Sequence, residues 1–484
     1  MGLFGKKEAE DSYIEQEAYK EGEDLHEEVD LTSSKTVQEA DEEEVQNRRA
    51  YRRSRRIRNE VLAYLAAVLV LAVVSTGVFK GIQAVRSYLS EKAAIEESIA
   101  MEETEEIKDI LESMLASESE LPTEVVEEVN PEEVFDEYLD TVIAGMSLEE
   151  KVYGLMITSP EELTGVNKAT RAGTGTQTSL EAKPVGGLVY YRKNMESEEQ
   201  FTEMLANTAG YSKYPIFLAV NEGGDSASSV QNSAITVPSV SEPGSIAAAE
   251  EAFNLGTTIG GYLSKLNFNV NFAPTADILY DENAAVADYC FGGDADLNAQ
   301  LVSQYVTGLE GQGISAALKT FPGTGYLKDS TTNESVSTER TRADFEADFR
   351  VFKAGIDAGA DFVMVSHVVA SELSGSMDPC SMSSAVVTDI LRGELGFKGI
   401  VITEPMTGKA ITEYYTAEEA AVAALKAGCD MILLPEDLEE AVQGILDGVS
   451  AGSVSEARIN DSLKRVFRVK YAEKLEEFAA EAAE

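Results

Sequence analysis

Eight short apolar runs, separated by longer stretches of helical character, constrain the fold of this chain more than any other feature. They are VYGLMIT (152–158), VGGLVYY (185–191), PIFLAV (215–220), FNVNFAP (268–274), ISAALKT (314–320), DFVMVSH (361–367), GIVIT (399–403) and DMILL (430–434). Continuous apolar runs are typical of parallel strands that are covered by helices. Eight of them alternating with helices over roughly 340 residues predict an α/β fold of the (β/α)8 TIM type, with a doubly wound open sheet as the alternative.

The residues before this pattern have a different composition. Residues 1–47 are acidic and poor in large apolar side chains, which predicts a disordered tail. A basic segment, 48–60, contains RRAYRRSRRIR and leads into the uncharged run VLAYLAAVLVLAVVSTGVF. This run predicts a transmembrane helix over residues 61–80. A cleaved signal peptide is the alternative, but the preceding tail is long and no small-x-small cleavage site follows.

The side on which the arginines lie predicts the topology. Positive charge is enriched on the cytoplasmic side of membrane helices, so we expect a single-pass cell-membrane protein with a cytoplasmic N-terminus and an extracellular barrel. Residues 81–130 are rich in glutamate and carry apolar residues at helical spacing, which predicts an acidic helical stalk and a site of self-association. The barrel is expected to span 131–475, and an acidic tail to follow at 476–484.

Charge and composition exclude several classes of function. The chain has 86 acidic and 39 basic residues and a formal net charge of -47, whereas a nucleic-acid-binding protein needs a basic face. It has three cysteines without CxxC spacing and two histidines, His26 and His367. No metal site, and no cofactor, is therefore predicted.

Polar residues follow several of the predicted strands at their carboxyl ends. In a (β/α)8 barrel the functional groups gather at that end of the strands. The residues at these positions are Asn221, Glu222, Asp277, Lys319, Thr320, His367 and Glu404. Lysine and glutamate are rarely buried without partners, so this convergence predicts a ligand site.

Several segments resemble a known family in order and spacing. They include KTFPGTG, DFVMVSHVVA, LRGELGFKGIVITEPM and AALKAGCDMILLP, and the similarity extends over most of residues 131–470. The chain resembles the N-terminal barrel domain of glycoside hydrolase family 3, in particular the bacterial β-N-acetylhexosaminidases. The resemblance implies the barrel fold and a retaining, two-step cleavage of N-acetylglucosamine from glycans. Such chemistry needs a carboxylate nucleophile and a nearby proton donor.

The position of the family's nucleophile is altered. Where the family has an aspartate in a motif like TDDM, this chain has TEPM, so that Glu404 takes the place of the aspartate and Pro405 follows it. The longer side chain displaces the carboxylate, and a misplacement of about 1 Å can cost ~10²-fold in rate. A solvated residue at the rim of the site is the alternative interpretation of Glu404.

The proton-donor loop has lost its histidines. The family pattern KHFPGHG followed by DSH corresponds here to KTFPGTGYLKDSTT, with Thr320, Thr324 and either Thr331 or Thr332 at the histidine positions. A threonine hydroxyl does not titrate near neutral pH and cannot act as a general acid. Asp329 is therefore the predicted catalytic partner of Glu404, with Glu334 as an alternative donor.

The resemblance also implies substrate-binding roles. Glu222, Lys319 and His367 are retained, whereas Asp225 and Tyr289 stand where the family has arginines. For Lys319, an ion pair with Glu222 or with Glu404 is the simpler interpretation, and His367 is equally well interpreted as a structural histidine.

Two functions remain open on the sequence. One is a membrane-anchored, catalytically impaired relative, a pseudoenzyme that binds an N-acetylglucosamine-containing glycan or a protein of the cell envelope. The other is an active, atypical β-N-acetylglucosaminidase that hydrolyses O-glycosyl bonds with Glu404 as nucleophile.

Overall fold

The computed structural model describes residues 130–482. The predicted tail, basic segment and transmembrane helix, and all of the predicted stalk except Asn130, lie outside these residues. Among residues 130–482, no helix combines the length and the apolar character that a membrane span requires.

Eight parallel strands form the centre of the described part of the chain. The strands, including a separate pair, are β1 Met156–Thr158, β2 Gly187–Val189, β3 Phe217–Val220, β4 Val270–Asn271, β5 Ser315–Phe321, β6 Ser337–Thr338, β7 Phe362–Val365, β8 Val369–Ala370, β9 Ile400–Thr403 and β10 Ile432–Leu433. In the central sheet the order of the strands is β10-β1-β2-β3-β4-β5-β7-β9, and β6 pairs with β8. A parallel bridge between Ile402 and Met431 joins the two outer strands of this order. The predicted (β/α)8-type barrel is confirmed, and the open sheet is not formed.

Helices follow the strands around the barrel. They are α1 Pro131–Ala144, α2 Leu148–Tyr153, α3 Pro160–Thr164, α4 Thr174–Ala182, α5 Glu198–Tyr211, α6 Ala249–Lys265, α7 Ala295–Glu310, α8 Glu346–Asp357, α9 Ser371–Ser374, α10 Lys409–Thr412, α11 Ala417–Ala427, α12 Leu438–Ser450, α13 Glu456–Lys470 and α14 Ala472–Ala482, with a π-helix at Ala385–Glu394. Several begin at side-chain caps, such as Thr416, which accepts from the backbone N–H of Glu419. These caps satisfy backbone donors that have no partner within the helix.

The strands are shorter than the apolar runs that predicted them. The run 152–158, for example, contributes only Met156–Thr158 to the barrel, because α2 extends to Tyr153. Ser147 and Glu150 form a capping box at the start of α2, which commits the first part of the run to a helix. An apolar run alone does not distinguish a buried helix from a strand.

The C-terminal boundary also differs from the prediction. The acidic tail was expected from 476 onward, but α14 continues to Ala482. The ring of Phe478 lies 6.5 Å from that of Phe135 and 5.9 Å from that of Tyr138, both on α1. This aromatic contact attaches the acidic helix to the barrel, so the charge of the segment does not make it a separate tail.

Asp430 joins helices to the strands at the amino-terminal end of the barrel. Its carboxylate is fully buried and pairs with Arg392 of the π-helix and with Arg458 and Arg465 of α13. It also accepts hydrogen bonds from the backbone N–H of Val401, at 3.0 Å, and from a serine hydroxyl of α13. One carboxylate is thus shared by three guanidinium groups and fixes β9 to the surrounding helices.

Candidate functional site

A cavity of about 560 Å³ opens at the carboxyl ends of the strands, where the sequence predicted a ligand site. Its lining includes Asn221, Asp277, Tyr289, Lys319, Thr331 and Glu404. These residues come from segments that follow β3, β4, β5 and β9 or, for Lys319, from β5 itself. Barrel closure therefore brings together groups that are more than 180 residues apart in the chain.

Glu404 lies immediately after β9 and lines the cavity. Its Oε2 accepts hydrogen bonds from the Thr331 hydroxyl and from the backbone N–H of His367, both at 2.9 Å. Burial raises the pKa of this carboxyl, although both hydrogen bonds and the Lys319 charge oppose the change. Glu404 is therefore positioned as a part of the cavity floor, rather than as a solvated rim residue.

Of the two threonines that the sequence leaves open for the histidine position, Thr331 is the one whose hydroxyl donates to Glu404. The loop that carries Thr331 is held by two backbone hydrogen bonds from the segment after β9: Ala410 N–H donates to Thr331 O at 3.2 Å and Lys409 N–H to Thr332 O at 3.0 Å. A neutral hydroxyl thus occupies the position beside the carboxylate at which the resemblance implies a titratable imidazole. In the ground state this hydroxyl donates a hydrogen bond to the carboxylate.

The other two threonines of this loop bind a second carboxylate, that of Asp277. Thr320 donates to Asp277 Oδ2 through its backbone N–H at 2.9 Å and its hydroxyl at 2.8 Å. Thr324 donates to Oδ1 through its backbone N–H and its hydroxyl. Asp277 is fully buried, and burial raises the pKa of its carboxyl against these hydrogen bonds. The sequence placed Asp277 at a strand end but not among the site residues.

Lys319 lies within the cavity, but its contacts differ from the prediction. Its ammonium donates to Asn221 Oδ1, and among the described residues it forms no ion pair within 4 Å with Glu222 or with Glu404. Burial lowers the pKa of Lys319, while Asp225, Asp277 and Glu404 act to raise it. The predicted ion pair is wrong because the Glu222 side chain is engaged elsewhere and the carboxylates surround Lys319 at longer range.

Glu222, predicted to bind substrate, does not line the cavity in the described structure. Its buried carboxylate accepts from the backbone N–H groups of Val230, at 2.6 Å, and Gln231, at 3.1 Å, and from the Tyr262 hydroxyl, at 2.8 Å. These contacts attach the loop after β3 to α6. In this geometry Glu222 holds that loop, and its role in binding substrate stays a prediction.

The free energy of unfolding is expected to depend on pH in a way that reflects the raised pKa of Glu222. Burial raises its pKa from 4.5 to about 7, so the folded state keeps the proton to higher pH than the unfolded chain does. The free energy of unfolding of the wild type, relative to Glu222→Gln, should be greatest below pH 4.5. It should then fall by about 3 kcal/mol as the pH rises to the folded pKa, and stay constant above it.

Urea unfolding at a series of pH values measures this difference, because all other carboxyl groups cancel between the two proteins. Glu334→Gln is the matched control, since Glu334 is exposed. A difference between wild type and Glu222→Gln that does not change with pH would contradict the assignment.

His367 also lies away from the cavity lining. Its ring is buried, with Nδ1 2.8 Å from the Ser381 hydroxyl and Nε2 3.3 Å from the carbonyl oxygen of Pro405. Burial lowers its pKa to about 4, so the ring is neutral near pH 7. The structural interpretation of His367 fits this geometry, and its contribution to the site is the backbone hydrogen bond to Glu404.

The two exposed carboxylates suggested as proton donors occupy different places. Asp329 lines the cavity at its exposed rim, whereas Glu334 is exposed and lies outside the lining. Of the two, Asp329 is the one that the structure brings to the same cavity as Glu404. The catalytic role of Asp329 stays a prediction.

Gly325 allows the threonine loop to approach the barrel closely. A Cβ at this position would lie 1.9 Å from the carbonyl oxygen of Ile278, next to Asp277. Gly325→Ala is therefore expected to displace the loop and to lower the free energy of unfolding by about 1–3 kcal/mol, measured by urea unfolding. Gly210→Ala, which meets no atom within 4 Å in α5, should instead be neutral or stabilise by up to about 1 kcal/mol. Equal effects of the two substitutions would refute the close-packing argument.

Comparison with known proteins gives consistent results. The model of the glycosyl hydrolase family 3 N-terminal domain matches residues 147–469. The β-hexosaminidase of Stenotrophomonas maltophilia (strain R551-3) is 30% identical over 276 residues, which cover 55% of this chain and 81% of that protein. The β-hexosaminidase of Nitrosomonas eutropha is 28% identical over 264 residues, covering 53% of this chain and 75% of that protein.

Solved structures show the same similarity. A glycoside hydrolase family 3 β-N-acetylglucosaminidase from Paenibacillus sp. str. FPU-7 aligns with a TM-score of 0.63 and 28% identity over 69% of this chain and 64% of that one. The β-N-acetylhexosaminidase from Beutenbergia cavernae aligns with a TM-score of 0.60 and 26% identity, covering 68% of this chain and 99% of that one.

Proposed function

Because this chain belongs to glycosyl hydrolase family 3, matching the N-terminal domain over residues 147–469, we propose that its β-hexosaminidase-like barrel binds an N-acetylglucosamine-containing glycan while being impaired in cleaving it. A binding protein of this kind needs an accessible cavity with polar groups, and a retaining glycosidase needs in addition a correctly placed proton donor.

The observation that carries the proposal is the contact between Thr331 and Glu404. The hydroxyl lies 2.9 Å from the carboxylate at the position where a titratable group is needed, and the cavity around it is open, at about 560 Å³. Loss of a general acid typically lowers a rate by ~10²–10⁴-fold, whereas it leaves the volume of a binding site intact. The arrangement therefore favours retained binding over retained turnover.

We place the barrel outside the cell, anchored in the membrane, with a cell-envelope glycan or an envelope protein as its partner. This part of the proposal rests on the sequence of residues 61–80 and the preceding arginines. Labelling of cysteines introduced before and after this segment in intact cells would test the orientation. A freely diffusing full-length chain would contradict the anchor.

A second candidate function is an active, atypical β-N-acetylglucosaminidase. It is favoured by the presence of Glu404 and Asp329 in the lining of one cavity. Glu404 would be the nucleophile and Asp329 the proton donor in this case.

The deciding experiment uses the full chain and measures binding and hydrolysis in the same sample. Calorimetric titration with di-N-acetylchitobiose tests binding, and release of the chromophore from a chromogenic N-acetyl-β-glucosaminide tests turnover. The proposal expects saturable binding together with a rate no higher than that of Glu404→Gln. A wild-type rate well above that of Glu404→Gln would select the second candidate, and absence of both binding and turnover in folded protein would contradict both functions.

A further inference from the structure

The cavity floor is rich in carboxyl groups, and this limits the chemical class of the ligand that it can bind. Asp277 and Glu404 line the cavity, and Asp225 lies 8% exposed in a small adjoining space that Lys319 also lines. The charge of each of these three carboxylates favours the protonated form of Lys319, which is the cation among them. The floor therefore has an excess of carboxyl groups over ammonium groups, and these groups are largely removed from water.

Other cations near the cavity do not reverse this excess. Lys328 is exposed at the rim, where its ammonium lies 3.7 Å from a carboxylate oxygen of Asp281. The rim also contains Asp329, which is an additional negative group. Five positions at which the family resemblance implies basic side chains are here neutral or acidic: Thr320, Thr324, Thr331, Asp225 and Tyr289.

The neighbouring hydroxyl groups are already used as donors. Thr320 and Thr324 donate to Asp277, and Thr331 donates to Glu404. The hydroxyl of Thr331 and the backbone N–H of His367 donate to Oε2 of Glu404, and the hydroxyl of Ser366 also interacts with this carboxyl group. Neither Thr331 nor His367 contacts Oε1 of Glu404, a residue that lines the cavity.

A carboxylate in such surroundings is best satisfied by a cationic donor. Hydrogen bonds between an ammonium and a carboxylate are stronger than those between neutral groups, and burial strengthens them further. An acetamido group, in contrast, offers one neutral N–H and needs room for its methyl group. The floor is therefore better matched to an ammonium than to an acetamide.

We propose that the unit bound in this cavity is an amino sugar with a free, protonated amine that binds Glu404, so that the preferred glycan is partly deacetylated and contains glucosamine beside N-acetylglucosamine. The inference rests on the proposed glycan binding and deepens it by stating the chemical class that the cavity selects. Tyr191 and Tyr289 in the lining supply apolar faces for a sugar ring. These faces favour an amino sugar over a simple amine.

The test compares three probes on the full chain by calorimetric titration: the disaccharide of two glucosamine units, its di-N-acetylated form, and ethanolamine as an amine without a sugar. We expect the unacetylated disaccharide to bind at least about tenfold more tightly than the other two, as one charge-assisted hydrogen bond allows. Glu404→Gln, which keeps the shape of the side chain, should abolish this preference.

Two further variants distinguish the effect of Glu404 from a general attraction of cations to a chain whose formal net charge is -47. Asp389→Asn removes one exposed carboxylate outside the cavity lining and should leave the preference unchanged. Tyr289→Arg places a cation in the cavity wall and should weaken binding of the unacetylated disaccharide at least about fivefold, because like charges repel in a partly buried site. The melting temperature of each variant verifies that it is folded.

The outcomes distinguish the two proposals. Equal or tighter binding of the acetylated disaccharide would overturn the inference but leave glycan binding intact. Binding of ethanolamine with the same affinity and the same dependence on Glu404 would overturn the assignment to an amino sugar. No binding of either disaccharide would overturn both the inference and the proposed function.

Discussion

The double variant Thr331→His/Glu404→Asp is expected to hydrolyse a chromogenic N-acetyl-β-glucosaminide at least about 10²-fold faster than the wild type. The reason is geometric. Thr331 already lies beside Glu404, with its hydroxyl 2.9 Å from the carboxylate, and its loop is held by hydrogen bonds from Lys409 and Ala410. An imidazole at this position supplies a group that titrates near neutral pH, and the aspartate returns the carboxylate to the length that the family resemblance implies.

Each single variant should show a smaller gain in hydrolysis rate than the double variant, because a proton donor and a nucleophile act as a unit. The control is Thr331→His/Glu404→Gln, in which the carboxylate is absent and no gain is expected. Initial rates at saturating substrate, in samples with matched melting temperatures, measure the effect. A folded double variant without any gain would show that the impairment does not lie in these two positions.

Asp430→Ala is expected to cost about 3–5 kcal/mol of the free energy of unfolding. Removal of this carboxylate leaves the guanidinium groups of Arg392, Arg458 and Arg465 without their shared partner. Asp430 is fully buried, so water cannot take its place without rearrangement of the barrel end. Urea unfolding followed by circular dichroism measures the loss.

The matched control is Asp296→Ala. Asp296 also pairs with an arginine, Arg350, but at 3.6 Å and with side chains that are 89% and 61% exposed. Exposed ion pairs contribute at most about 1 kcal/mol, so this substitution should have little effect. A similar loss for both variants would contradict the structural role given to the buried network.

The barrel was predictable because its signal is local and repeated. Each apolar run identifies a strand buried on both faces, and eight repeats leave few other architectures. The boundaries were less predictable: the run at 152–158 starts within α2, and the segment after 475 continues as α14. Both differences arise from contacts, a capping box in one case and the packing of Phe478 in the other, that override composition.

By itself, the sequence determined the alternation of strands and helices, the strand ends that carry polar residues, and the absence of histidines from the FPG loop. Which of these polar residues share the cavity was decided only by the tertiary structure. Glu222 and His367 follow strands as Glu404 does, yet their side chains are turned to other partners, while Asp277 and Thr331 enter the cavity lining. The physical reason is that a side chain's partners depend on the direction in which its loop leaves the strand, and that direction is set by distant contacts such as Tyr262 with Glu222 and Ala410 with Thr331.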